Sequence, residues 1–105
     1  MATSDDLWGS QLTAVTFDPV GHTCVLSAVA YETTGDTSYV ITCTSVTDLT
    51  FHSSIPEPWT YADVTEVYIT EDGSGQQLLE LMLWSEDAGI EIRCAQIDIT
   101  EVAPG

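Results

Sequence analysis

Two histidines, three cysteines, one arginine and seventeen carboxylates are the groups in this 105-residue chain that could do chemistry. A nucleophilic triad or dyad needs a base within hydrogen-bond reach of a Ser or Cys, and a third group to orient it. Only His22 and His52 can be that base. His22 opens a strand-like run straight after a turn, and His52 closes one in Thr50-Phe51-His52-Ser53-Ser54. Neither stands in a nucleophile elbow of the G-x-S-x-G kind, so both read as surface or strand-end residues. His22 and Cys24, two apart, share a face of a strand. With Cys43 and His52 across the sheet they would make a two-His, two-Cys zinc set, but the paired knuckles that bring such ligands together are missing. Cys24, Cys43 and Cys94 each lie in an apolar run with no C-x-x-C between them. That is the pattern of small thiols filling a core.

Other reaction classes fare no better. A chain whose single cation is Arg93 has no lysine for a G-x-x-x-x-G-K loop, and substrate phosphates would find only that arginine. The acidic turn Glu71-Asp72-Gly73-Ser74-Gly75 lacks the D-x-[DN]-x-[DN]-G-x₅-E ladder of a calcium loop. Paired carboxylates for glycoside chemistry would need a catalytic cleft that 105 residues hardly build. The sequence therefore predicts a protein that is not an enzyme, with no catalytic residues, no metal and no cofactor.

What stands out is charge. Seventeen carboxylates against one cation give a net −16, which water, backbone N–H groups, bound cations or a basic partner must offset. Such a surface is repelled by nucleic acid and by anionic lipid, so the expected partners exclude direct nucleic acid and membrane. No apolar run approaches the roughly 20 residues that cross a bilayer. The opening MATSDDLWGS lacks the basic-then-apolar order of a secretory signal. The expected location is cytoplasmic. Imitation of a DNA backbone is a live alternative, and density tests it. A fold of this mass exposes on the order of 5,800 Å², about one charge per ~360 Å², whereas B-DNA carries roughly one per ~110 Å². A mimic would have to crowd its acids onto one side. Eleven of the seventeen do fall in 57–101, but spread along a stripe rather than at one tip.

The elements that must position these groups are strands. Turn signals at Asp18-Pro19-Val20-Gly21, Thr33-Thr34-Gly35-Asp36, Asp72-Gly73-Ser74-Gly75 and Glu86-Asp87-Ala88-Gly89 bound segments rich in Val, Ile, Thr, Tyr and Phe. They predict strands at 12–17, 22–32, 37–46, 47–53, 62–71, 77–85 and 90–101, with a Pro break at Ile55-Pro56-Glu57-Pro58-Trp59. Gln76–Trp84 has helix-favouring composition, yet about nine residues between two turns fit a strand. In the last strand Ile90 and Ile92 alternate one way, Ile97 and Ile99 the other. The phase slip near Ala95-Gln96 predicts a bulge or a crossing between sheets. The expected fold is all-β: one antiparallel β-sandwich or small barrel of about seven strands over 1–105, with 1–6 and 103–105 as loose ends.

Pairing must keep apolar faces together, which fixes a trial register. Thr70 opposite Leu78 sets Tyr68 beside Glu80 and Glu66 beside Met82. Joining 85 to 90 opposes Leu83 with Ile92, Leu81 with Cys94, Trp84 with Glu91 and Met82 with Arg93. One face is core: Val67, Ile69, Leu79, Leu81, Leu83 and Ile92. Its reverse mixes Tyr68, Leu78, Met82 and Trp84 with Glu66, Glu80, Glu91 and Arg93. Either residues 1–12 or the 54–60 loop fold over that reverse face, or it meets a partner. The expected function is an acidic protein-binding module of the inhibitor, immunity or anti-defence type, covering a basic surface of a partner protein. Tyr68, Met82, Trp84, Trp59 and Tyr61 would anchor it, and Glu66, Glu80 and Glu91 would steer it. A self-associating assembly subunit with a salt-adapted surface is the alternative, and would make a homo-oligomer.

Overall fold

The computed structural model describes residues 4–32, 35–71, 73–84 and 87–102. A short 3-10 helix, Ser4–Leu7, precedes eight strands: β1 Gln11–Asp18, β2 Thr23–Glu32, β3 Gly35–Thr44, β4 Asp48–Ser53, β5 Ala62–Glu71, β6 Gln77–Leu83, β7 Ala88–Cys94 and β8 Gln96–Val102. All pair antiparallel in one sheet of order β4-β7-β6-β5-β1-β2-β3-β8. The all-β single domain expected from composition is the one found. Of the expected loose ends, 1–3 and 103–105 lie outside the described residues, while residues 4–6 belong to the 3-10 helix that ends at buried Leu7.

The sheet is two four-stranded halves, β1-β2-β3-β8 and β5-β6-β7-β4, whose apolar faces form one core cluster. Leu26 and Ile41 enter it from the first half, Leu79, Leu81, Leu83 and Ile92 from the second, all nearly free of solvent. Two connections hold the halves together. At one, the chain passes from β3 into β4 and from β7 into β8 side by side. Thr47 N donates to Arg93 O at 2.9 Å, Ala95 N to Thr44 O at 3.0 Å and Val46 N to His22 O at 2.8 Å. The positive φ of Ser45 and His22, 54° each, turns the chain there. The phase slip at Ala95 is this crossing. One expected strand, 90–101, is therefore two, serving opposite halves, and the count is eight rather than seven.

Three cysteines fill that corner. Cys24 and Cys43 are direct cross-strand partners, Cys94 shares a thiol hydrogen bond with Cys43, and none touches solvent. All are free thiols. Burial, reinforced for Cys24 and Cys43 by neighbouring thiols, raises their pKa values, Cys43 the most steeply. A thiol that cannot ionise is a poor nucleophile.

The second connection is short. Gln11 and Leu12 of β1 pair with Asp63 and Ala62 of β5. Buried Ser10 fastens it: its hydroxyl donates to Leu7 O at 2.6 Å, and its carbonyl accepts from Val64 N at 2.8 Å. Gly9, at φ +81°, makes the bend from helix to strand that a side chain would strain.

The β5–β6 register is the expected one, with Tyr68 opposite Glu80 and Glu66 opposite Met82. The β6–β7 register is not. Leu83 opposes Ala88, Leu81 opposes Ile90, Leu79 opposes Ile92, Gln77 opposes Cys94, Leu78 opposes Arg93, and Glu80 opposes Glu91. The reason is an earlier reversal, which begins after Leu83 rather than after residue 85. Trp84 takes φ 53°, Asp87 N donates back to Trp84 O at 3.3 Å, and Ala88-Gly89 join the strand instead of the turn. The slip is an even number of residues, so the side chains within the paired strands keep their expected faces and only their neighbours change.

Candidate binding surfaces

The eight residues singled out in the sequence fall into two groups. Glu66, Tyr68, Glu80, Met82 and Glu91 share the outer face of β5, β6 and β7, as cross-strand rows. Tyr68, Glu80, Glu91 and Thr50 form one row. Glu66, Met82, Gly89 and His52 form the next. Tyr68 donates its phenol to Glu66 Oε2 at 3.0 Å. That hydrogen bond, then partial desolvation and the charges of Glu66 and Glu80, raises the phenol pKa above its ordinary 10. Trp8 meets Tyr68 edge-on at 5.8 Å, so the segment before β1 covers one end of this face. The His52 imidazole lies over Gly89, where a Cβ would sit 2.6 Å from its Cε1, in a shallow depression shared with Glu80 and Glu91. Arg93 sits farther along β7, directly opposite Asp48 and beside Glu91.

Glu80 and Glu91 stand directly opposite each other on adjacent strands. Like charges so placed destabilise a sheet. The early reversal after Leu83 brings this about, and composition alone does not show it.

Trp59, Tyr61 and Trp84 are elsewhere. Positive φ at Trp84 takes its ring off the Met82 row to pack against the core, 6.2 Å from Trp59 and 5.6 Å from Tyr61. Phe51 extends the cluster at 5.9 Å from Trp59. The Pro-containing loop thus folds over Trp84. Phe51, Trp59 and Tyr61 border an apolar cleft of about 350 Å³, lined also by Leu12 and Val15 of β1 and Leu49 of β4. The indole N–H groups of Trp59 and Trp84 are buried with no acceptor among the described residues.

Three apolar residues carry no signal in the sequence pattern: Val15 and Phe51, which line this cleft, and Phe17, farther along β1. Val15 and Phe17 lie opposite Leu26 and Cys24, and Phe51 opposite Ile90, so all three are on core-side faces. They are nevertheless 41, 43 and 56% exposed. A register shift between Leu12 and Ala14 inverts the alternation along β1, which hides this from a pattern reading. Apolar residues on a core side but open to water were the missing signal.

Among the described residues no group of three or more His, Cys, Asp or Glu is arranged to hold a metal ion. His22 is exposed in the turn before β2 and His52 is exposed in β4 opposite Gly89, while Cys24 and Cys43 are buried, and these four form no metal-holding group. No helix among the described residues is long and apolar enough to cross a membrane.

No protein-family model and no curated protein matches the chain. Among solved structures, it is similar to a crystal structure of an uncharacterized protein from Neisseria gonorrhoeae, at 13% identity and TM-score 0.65, over 90% of this chain and 93% of that one. At that identity the likeness is one of fold.

Proposed function

We propose that the chain is a non-enzymatic, acidic protein-binding module that covers a basic surface of a partner protein, as an inhibitor or immunity-like factor. One observation carries this reading. Glu66, Glu80 and Glu91 are gathered on one outer face with the half-exposed Tyr68 and Met82, and Glu80 and Glu91 are set directly against each other. That arrangement works against folding by up to about 1 kcal/mol. A cationic partner would reverse the sign of the effect, because the same carboxylates would then be paired and their field would speed encounter. The three reduced cysteines fit a cytoplasmic setting, where thiols stay unpaired.

The test is the association rate with a basic protein recovered on the immobilised chain. For a charge-steered encounter, raising salt from about 20 mM to about 1 M should slow binding at least ten-fold. Glu66→Gln, Glu80→Gln and Glu91→Gln together should reproduce most of that loss at low salt. A rate indifferent to both salt and the triple substitution would sink the reading.

A further inference from the structure

The geometry points to a defined occupant for the aromatic cleft: an extended cationic segment of a partner protein, added as a strand to the free edge of β1 and sinking one apolar side chain into the cleft against Phe51 and Trp59. This rests on reading the chain as a protein-binding module, and it says what kind of segment is bound and where.

The backbone of β1 supplies the first argument. On one side it pairs with β2 along its whole length. On the other it pairs with β5 only through Gln11 and Leu12, and beyond them Thr13–Asp18 meet no strand among the described residues. Every one of those six residues is exposed. A strand edge with unpaired N–H and C=O groups is a template for another chain, and proteins usually blunt such edges with charge. The two outer edges of this sheet are blunted in that way. β8 carries exposed Asp98 and Glu101, and β4 carries exposed Asp48. From Gln11 to Phe17, β1 carries no charge at all.

The cleft supplies the second. Strand addition draws affinity from main-chain hydrogen bonds and specificity from pockets that take alternate side chains. Thr13, Ala14 and Val15 of the free edge themselves line the 350 Å³ cleft, so a strand laid on that edge directs every second side chain toward it. Val15 and Phe51 are the apolar groups such a side chain would cover.

Charge selects the occupant. Exposed Asp18 ends the free edge, exposed Glu57 lies two residues before Trp59 in the chain, Asp63 pairs with Gln11 where β1 meets β5, and no cation lines the cleft. A second copy of the chain would bring another 16 negative charges, whereas a lysine- or arginine-bearing strand brings the opposite sign.

The experiment uses the full chain and a synthetic heptapeptide in which lysine alternates with valine, phenylalanine and isoleucine. Titration followed by amide NMR and by indole fluorescence should shift Thr13–Asp18 and perturb Trp59. Replacing the peptide lysines by glutamate should abolish binding. N-methylating alternate peptide residues should weaken binding at least ten-fold in one phase and leave it unchanged in the other. Phe51→Ser, at a position open enough to leave the fold intact, should also weaken it at least ten-fold, with an unchanged melting profile as control. Shifts confined to the Glu80–Glu91 face, indifferent to N-methylation, would overturn strand addition and leave the acidic-face reading standing. So would the absence of binding at millimolar peptide. Equal binding by both N-methylated peptides would mean capture of a side chain alone, and a dimer in sedimentation protecting the same amides would mean a second copy; either result overturns the proposal.

Discussion

The two places where the halves of this sheet meet use similar residues to opposite ends. At the corner where β3 runs into β4 and β7 into β8, the strands cross as a hydrogen-bonded pair, and Cys24, Cys43 and Cys94 are sealed from water. At the other, β1 holds β5 through two residues and then leaves it. Val15, Phe17 and Phe51 have the core-side orientation of Leu26, Cys24 and Ile90, yet they remain open to solvent. Orientation toward the core and burial in it are therefore separate properties. The first follows from register, the second from whether another layer arrives. A corner with no gap has room only for structure, whereas an unfinished one has room for a ligand.

The sharpest way to break that contrast is to truncate both sides. Leu26→Ala, in the sealed layer, should cost about 3 kcal/mol and lower Tm by more than 10 °C. Val15→Ala, its cross-strand neighbour, should cost under about 1 kcal/mol. Calorimetry on the two variants decides it, and equal losses would mean that the β1 side is closed in solution.

Alkaline pH tests the sealed corner, with Tyr68→Phe as the background that removes the raised phenol of the outer face. The folded thiols have raised pKa values, so the unfolded chain gives up its thiol protons first. Their contribution is complete below the unfolded value near 8.5 and declines as pH rises toward the folded values. Stability should fall by up to about 1.4 kcal/mol per pH unit for each thiol above about pH 9. Denaturant midpoints at pH 8 and pH 10 measure this, with Cys24→Ala reducing the slope. In the native state at pH 8, a thiol reagent should modify these cysteines no faster than the protein opens, and rapid stoichiometric labelling would contradict the sealed corner.

The outer face gives the smallest effect. Glu91→Gln removes half of the opposed Glu80–Glu91 pair and should stabilise the fold by about 0.5 kcal/mol at low salt. The gain should shrink as salt screens the pair. Urea titrations of wild type and variant at about 20 mM and 0.5 M sodium chloride test it. A loss of stability would mean that Glu91 is held by a favourable contact.

Much of the fold was legible. Turn residues and β-branched runs located the strands to within a few residues, because those preferences are local. The phase slip at Ala95 marked the crossing, because face alternation survives in a linear pattern. The outer-face acids were found for the same reason. The β6–β7 register was not legible, since it depended on positive φ at Trp84, which its side chain does not favour. Alternation puts Trp84 on the Met82 row, but the same backbone angle redirects it to Trp59 and Tyr61.

By itself the sequence determined an antiparallel β domain, an anionic surface its own single cation cannot offset, and the absence of the familiar catalytic spacings. Those follow from side-chain period and from counting charges, which need no coordinates. Which apolar strand faces are covered is fixed by the packing of strands distant in the chain. Coverage depends on where distant strands arrive: β3 and β4 continue across one corner, while β1 parts from β5 after Leu12 and leaves the cleft open.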